Sequence, residues 1–78
     1  MAKVKIYSTP TCAYCVMAKQ WLKENNVEYE DLNVAQDIVK RNELMEKTGQ
    51  MAVPVIEIGE ELIIGFDRNR LAQLLGIK

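Results

Sequence analysis

The chain has 78 residues, of which 49% are hydrophobic and 27% are charged, and its net charge is −1. This length supports one core and one domain over residues 1–78, which we expect to be a monomer. The balanced charge excludes an electrostatic footprint for nucleic acid or an anionic membrane, and no apolar run approaches the roughly 18 residues of a membrane span. Because the chain has no histidine, Ser-His and Cys-His catalysis and imidazole metal sites are also excluded.

The first third of the chain is predicted to form a strand, a helix and a second strand. Lys3–Ser8 alternates with the two-residue period of a strand. A helix is predicted from Cys12 to about Asn25, ending at Asn25 and Asn26, because asparagine tolerates the left-handed conformation of a helix end. Val27–Asn33 alternates again as a second strand. This order predicts a parallel strand pair with a right-handed crossover.

The middle of the chain is predicted to form a second helix followed by a hairpin. Asp37 is expected to cap a helix from about Ile38 to Thr48, which stops at Gly49. Val55–Ile58 and Glu61–Ile64 are short apolar strands separated by a two-residue turn that contains glycine. They are therefore expected to pair as an antiparallel hairpin.

A last helix is predicted over about Arg68–Leu75, with Gly76 at its end. The order βαβαββα indicates an α/β fold with a four-stranded mixed sheet flanked by three helices. The first helix is expected to pack on the sheet through Met17, Ala18, Trp21 and Leu22. The expected buried residues of the sheet are Val4, Ile6, Leu32, Val55, Ile56, Ile58, Ile63 and Ile64.

The two cysteines of the chain, Cys12 and Cys15, stand where the first helix begins. Free N–H groups and the positive end of the helix dipole favour a thiolate at such a position. Cys15 lies one turn further on the same face and is expected to be more shielded. Cys12 is therefore the candidate nucleophile, and Cys15 the thiol that resolves the mixed disulfide.

Three other roles for the cysteine pair are possible. The N-terminus runs directly into the first strand, so no secretory signal is expected and the chain is predicted to be cytoplasmic. A structural disulfide is disfavoured in that reducing compartment, and it would close a very short loop. Two inert core cysteines would not be expected at a helix start. A zinc site needs four ligands, so two chains would have to share it.

Three segments together resemble the glutaredoxins of the thioredoxin-fold superfamily, namely Tyr7–Cys15, Thr48–Ile56 and Ile64–Asp67. The resemblance covers essentially the whole chain and implies a thioredoxin-like fold. It also implies thiol–disulfide oxidoreductase activity in electron transport and cell redox homeostasis. By the same resemblance, the Val53–Pro54 bond is expected to be cis and to present the Val53 backbone to a substrate peptide. A trans proline that starts an edge strand is the alternative.

The resemblance implies glutathione as co-substrate and electron donor, with disulfide-containing proteins as substrates and no metal or tightly bound cofactor. In this interpretation Gln50 binds the glycine carboxylate of glutathione, and Asp67 its amino group, unless Asp67 is simply a helix cap. Thr9 stands where the family often has a basic residue, and Arg68 and Asn69 stand where acids are common. The expected substrate and glutathione contacts are Thr11, Tyr14, Gln50, Val53, Pro54, Gly65, Phe66 and Asp67.

Two alternative functions follow from the same resemblance. The pair Gly65-Phe66 is similar to redoxins that serve ribonucleotide reductase and take electrons from thioredoxin reductase. Ala13 replaces the proline common between the cysteines, a condition that favours a dimer carrying a [2Fe-2S] cluster. Lys19 is expected to lie on a solvated face.

Overall fold

The computed structural model describes residues 3–50 and 53–77, and the elements in these ranges follow the predicted order βαβαββα. Met51 and Ala52, which belong to the second motif, lie outside the described residues. The strands are β1 (Val4–Ser8), β2 (Glu30–Asn33), β3 (Val55–Ile58) and β4 (Glu61–Ile64). The helices are α1 (Ala13–Glu24), α2 (Ile38–Thr48) and α3 (Arg68–Leu75). None of these helices has the length and apolar character that a membrane span needs.

The four strands form one mixed sheet in the order β2-β1-β3-β4. Strand β1 pairs in parallel with β2, where Tyr7 lies opposite Leu32. It pairs antiparallel with β3, where Tyr7 lies opposite Val55. The end of β1, which leads into the cysteines, therefore lies beside the start of β3, which follows Pro54. The topology thus brings two of the predicted motifs to one end of the sheet.

Each face of the sheet has its own apolar core. On one face, α1 and α3 pack Ala18, Leu22 and Leu71 against the strands. The strand residues of this cluster are Val4, Ile6, Ile56, Ile58 and Ile63. On the other face, Leu44 of α2 packs against Tyr7, Leu32, Val34 and Val55. The predicted α/β fold with helices flanking a mixed sheet is confirmed.

Strand β2 begins three residues later than the sequence predicts. Asn26 adopts the left-handed conformation, with φ of 58°, as expected at the end of α1. The next amide, that of Val27, donates a hydrogen bond to the Leu22 carbonyl at 2.9 Å and so closes the helix terminus. Because this amide satisfies a helix carbonyl, the ladder with β1 starts only at Glu30.

The predicted burial of Ile64 is wrong. Ile63 is 5% exposed and belongs to the core under α1 and α3, whereas Ile64 is 50% exposed. Successive side chains of a strand point to opposite faces, and β4 is one of the two edge strands of the sheet. Met17 also departs from the expected pattern, because it is half exposed while Ala18 and Leu22 are fully buried.

Candidate active site

The sulfur of Cys12 caps the N-terminus of α1. Cys12 has extended backbone angles (φ −91°, ψ 112°), and its Sγ accepts a hydrogen bond from the Cys15 amide at 3.2 Å. The Cys12 amide in turn donates to the Thr9 carbonyl at 3.3 Å, which closes the loop between β1 and the helix. The Cys12 side chain is partly exposed, so its sulfur can contact solvent while it accepts the hydrogen bond from the Cys15 amide. This is a favourable environment for a negatively charged sulfur.

The second cysteine is in a very different environment. Cys15 is 0% exposed, and burial raises the pKa of its thiol to about 12. That value includes smaller raising effects from the hydrogen bond and negative charge of Cys12, and opposing effects from the Thr9 backbone and the Lys19 ammonium. Cys15 is thus a protonated thiol at neutral pH when both cysteines are reduced. The two sulfurs differ in exposure and in charge environment, as the sequence predicts for a nucleophile and a resolving thiol.

The proline opposite the cysteines has the expected geometry. The Val53–Pro54 peptide bond is cis, and the Val53 carbonyl oxygen lies 3.8 Å from Cys12 Sγ. Pro54 itself is buried. Its carbonyl accepts a hydrogen bond from the Gly65 amide at 2.8 Å, and Gly65 has a φ of 90°, a conformation that suits glycine. These contacts bring the second and third motifs together beside the first.

The predicted contact residues nearest the cysteines in sequence are open to solvent. Thr11 and Tyr14 flank Cys12 in the chain, and the Tyr14 side chain is 64% exposed. Gln50 is also exposed, and its backbone is held by the Thr48 hydroxyl, which donates to the Gln50 carbonyl at 2.8 Å. The contacts of these side chains with a substrate stay predictions.

The turn before α3 has a clear structural role. Asp67 caps α3 through its Oδ1 atom, which accepts a hydrogen bond from the Arg70 amide at 3.1 Å. The ring of Phe66 packs edge-to-face on Trp21, with 6.3 Å between ring centroids. Phe66 is therefore partly buried against the core beneath α1, and its contact with a substrate stays a prediction.

A polar group beneath α1 was not expected from the sequence. Lys19 Nζ lies 3.1 Å from Asp31 Oδ2 on β2, and only 23% of the lysine side chain is exposed. The other oxygen of Asp31 accepts a hydrogen bond from the buried Ser8 hydroxyl at 2.7 Å. The sequence signal was present: Lys19 follows Cys15 by four residues, which places both on one helix face. Ser8 likewise shares its strand face with the core residues Val4 and Ile6.

Within residues 3–50 and 53–77, no group of three or more histidine, cysteine, aspartate or glutamate side chains could hold a metal ion. A cluster shared between two chains would take its ligands from both of them.

A mixed sheet with a paired dithiol at the start of α1 and a cis proline beside it defines a thioredoxin-fold redoxin. The family model described as Glutaredoxin matches residues 4–63. The chain is 42% identical to an uncharacterised glutaredoxin-like protein of a rubredoxin operon in Clostridium pasteurianum, covering 92% of this chain and 96% of that protein. The chain belongs to the glutaredoxin family, whose members are thiol–disulfide oxidoreductases.

Other relatives fall into two groups. Glutaredoxin 3 of Escherichia coli strain K12 is 37% identical, covering 86% of this chain and 81% of that protein. The glutaredoxin-like protein NrdH of Lactococcus lactis subsp. lactis is 32% identical, covering 91% of this chain and 97% of that protein. A crystal structure of the thioredoxin-like protein BC3987 superposes with a TM-score of 0.86 at 38% identity, covering 92% of this chain and 99% of that one. The fold class predicted from the sequence is thereby confirmed.

Proposed function

We propose that the chain reduces protein disulfides and glutathione mixed disulfides through a Cys12–Cys15 dithiol cycle in the cytoplasm. The observation that carries the proposal is the asymmetry of the two sulfurs. Cys12 Sγ is accessible, accepts the Cys15 amide at 3.2 Å and lies 3.8 Å from the Val53 carbonyl. Cys15 is fully buried and protonated.

The cycle begins at Cys12. Its thiolate attacks one sulfur of the substrate disulfide, so that a Cys12–substrate bond forms while the substrate S–S bond breaks and a first thiol leaves. An extended substrate segment beside Cys12 would pair with the Val53 backbone as a short additional strand. The position of the Val53 carbonyl near Cys12 Sγ supports this mode of binding.

The second step uses Cys15. The negative charge of Cys12 raises the pKa of Cys15 in the reduced dithiol, and that charge disappears once Cys12 is bonded to substrate. Cys15 therefore becomes easier to deprotonate after the first step than before it. Its thiolate attacks Cys12 Sγ, the substrate leaves as a second thiol, and the protein is left with a Cys12–Cys15 disulfide. Two glutathione molecules return it to the dithiol while they form oxidised glutathione.

The electron donor is tested by NADPH oxidation with bis(hydroxyethyl) disulfide as substrate. One arm contains glutathione and glutathione reductase, and the other contains thioredoxin reductase alone. We expect turnover in the glutathione arm. Turnover confined to the thioredoxin reductase arm would contradict the glutathione assignment and support the second candidate below. Absence of NADPH oxidation in both arms would contradict the oxidoreductase cycle.

A thioredoxin-reductase-dependent redoxin is the second candidate function. Two observations favour it: the Gly65-Phe66 turn, and the 32% identity to the glutaredoxin-like protein NrdH of Lactococcus lactis. The Gly65 amide donates a hydrogen bond to the Pro54 carbonyl, so the residues of this turn help to shape the surface around Cys12.

A dimer bridged by a [2Fe-2S] cluster is a further alternative. It would give a coloured protein after anaerobic purification, and a colourless monomer would exclude it.

Asp67 is proposed to bind the amino group of glutathione while it caps α3. The cap uses Oδ1, and a carboxylate has a second oxygen with which to accept a hydrogen bond. We expect Asp67→Asn to raise the KM for glutathione about two- to fivefold, the size of an exposed charge interaction. Asparagine is an equally good cap, so thermal stability should stay nearly unchanged.

Asp37 offers a matched control for this variant. It is an exposed cap at the start of α2, where its Oδ1 accepts the Lys40 amide at 3.2 Å. Asp37→Asn should leave the KM for glutathione unaltered in the same coupled assay. Equal KM values for Asp67→Asn and the parent protein would show that Asp67 is a cap and nothing more.

A further inference from the structure

Lys19 lies one helical turn beyond the buried Cys15 and forms an ion pair with Asp31. The spacing of four residues places Lys19 and Cys15 on the same face of α1. Lys19 Nζ is 3.1 Å from Asp31 Oδ2, and Asp31 Oδ1 accepts the Ser8 hydroxyl at 2.7 Å. Because Ser8 is only 2% exposed, one end of this chain of contacts lies in the core. The ammonium thus lies beside α1 at the β2 edge of the sheet, where the Asp31 side chain is 44% exposed and the contact is partly open to solvent.

A positive charge on the same face of α1 as Cys15 would assist the second step of the proposed cycle. Cys15 attacks as a thiolate, yet its complete burial opposes loss of the proton. The Lys19 ammonium acts in the opposite sense and lowers the pKa of Cys15. In the mixed disulfide Cys12 no longer carries a charge, while Lys19 keeps its own. The lysine therefore matters most at the moment when Cys15 must ionise.

The other groups around Cys15 do not supply this charge. On α1 itself, Cys12 raises the pKa of Cys15. Strand β1 ends at Ser8, whose hydroxyl is neutral, and the backbone of Thr9 just after it assists ionisation through a hydrogen bond. Strand β2 contributes Asp31, whose negative charge faces Lys19. Pro54 and Val55, at the entry to β3, have no titratable side chain.

We infer that Lys19, anchored by Asp31, is a positioning residue that speeds the attack of Cys15 on the Cys12–substrate disulfide. The inference rests on the proposed dithiol cycle. Cys15 loses its proton to solvent, its sulfur bonds to Cys12 Sγ, and the Cys12–substrate bond breaks with its electron pair on the departing thiolate. Lys19 stays an ammonium throughout and stabilises the Cys15 thiolate before the attack.

The test follows both steps in a single turnover with dithiobis(nitrobenzoate). Cys12 releases one coloured nitrothiobenzoate in a phase whose rate scales with reagent concentration. Cys15 releases the second in a first-order phase that is independent of it. We expect Lys19→Met to raise the pH midpoint of the second phase by up to about one unit and to slow that phase about threefold at pH 7, because the fewer thiolates that form are more nucleophilic. The first phase should change by less than about twofold, since its nucleophile is more distant from Lys19.

Three further variants control for structural effects. Lys19→Arg keeps the charge and should restore the second phase to within about twofold of the parent rate. Lys19→Gln repeats the neutralisation with a polar side chain, should Lys19→Met fold poorly. Lys23→Met removes an exposed lysine from the last turn of the same helix and should alter neither phase.

The outcomes separate this inference from the function on which it rests. If Lys19→Met and Lys19→Gln release two nitrothiobenzoate groups with an unshifted pH midpoint, the inferred role of Lys19 is overturned and the dithiol cycle still holds. Release of one group by the parent protein would overturn the dithiol cycle together with it. A raised midpoint in both neutral variants, with a normal midpoint in Lys19→Arg, is the result that supports the inference.

Discussion

Replacement of Cys12 by serine is expected to abolish disulfide reduction, with a loss of about a thousandfold or more, while the protein stays folded. The nucleophile in thiol–disulfide exchange is a thiolate, and a serine hydroxyl does not ionise near neutral pH. Serine is also a preferred N-cap, so its Oγ can accept the Cys15 amide that now bonds to Cys12 Sγ at 3.2 Å. The substitution therefore removes the reactive atom and keeps the local hydrogen bond.

Two measurements check this expectation. The NADPH-coupled assay gives the loss of turnover, and thermal unfolding under reducing conditions gives the effect on stability. Cys15→Ser is the matched variant, because it should still release one nitrothiobenzoate group and then stop at the mixed disulfide. Activity of Cys12→Ser above about one-tenth of the parent value would contradict the assignment of Cys12 as nucleophile.

Signals that are local in sequence predicted most of the fold. Helix α2 begins after Asp37 and ends before Gly49, as its cap residues indicate. Helix α3 likewise lies between Asp67 and Gly76. These boundaries could be predicted because an N-cap carboxylate and a left-handed glycine act on the backbone only a few residues away.

The predictions for Ile64 and for the start of β2 are wrong because these residues' environments depend on other segments of the same chain. Ile64 and Ile63 are equivalent in the sequence pattern, and the sheet face that each occupies is set by register with β3. The start of β2 is set by Val27, whose amide closes the end of α1. Neither contact can be read from the alternation of apolar residues alone.

The candidate site shows the same division. The C-x-x-C motif and the Val53-Pro54 pair identified the sulfurs and the adjacent backbone. The ion pair of Lys19 with Asp31 was missed, because it joins residues on two elements that meet only through packing of α1 on the sheet. The sequence predicts a solvated lysine at position 19, whereas the structure pairs Lys19 with Asp31 on β2.

Truncation of Leu22 is expected to have the largest effect on stability among single substitutions in α1. Leu22 is 0% exposed and belongs to the cluster that joins α1 to β1, β3, β4 and α3. We expect Leu22→Ala to lower the free energy of unfolding by about 3 kcal/mol, from lost burial and the cavity that remains. The melting temperature should fall by roughly 15 °C in a domain of this size. That loss is a large share of the total stability, which for such a chain is of the order of 4–12 kcal/mol.

The effect should depend on burial and not on the loss of a leucine as such. Leu62 on β4 is 38% exposed, so Leu62→Ala should lower the free energy of unfolding by less than about 1 kcal/mol. Urea unfolding of both variants in the dithiol state, with similar denaturant slopes, makes the comparison direct. Equal losses in the two variants would mean that α1 is not anchored through this face. Since Cys15, Ala18 and Leu22 are all fully buried residues of α1, that result would also remove the structural basis for the shielded resolving thiol.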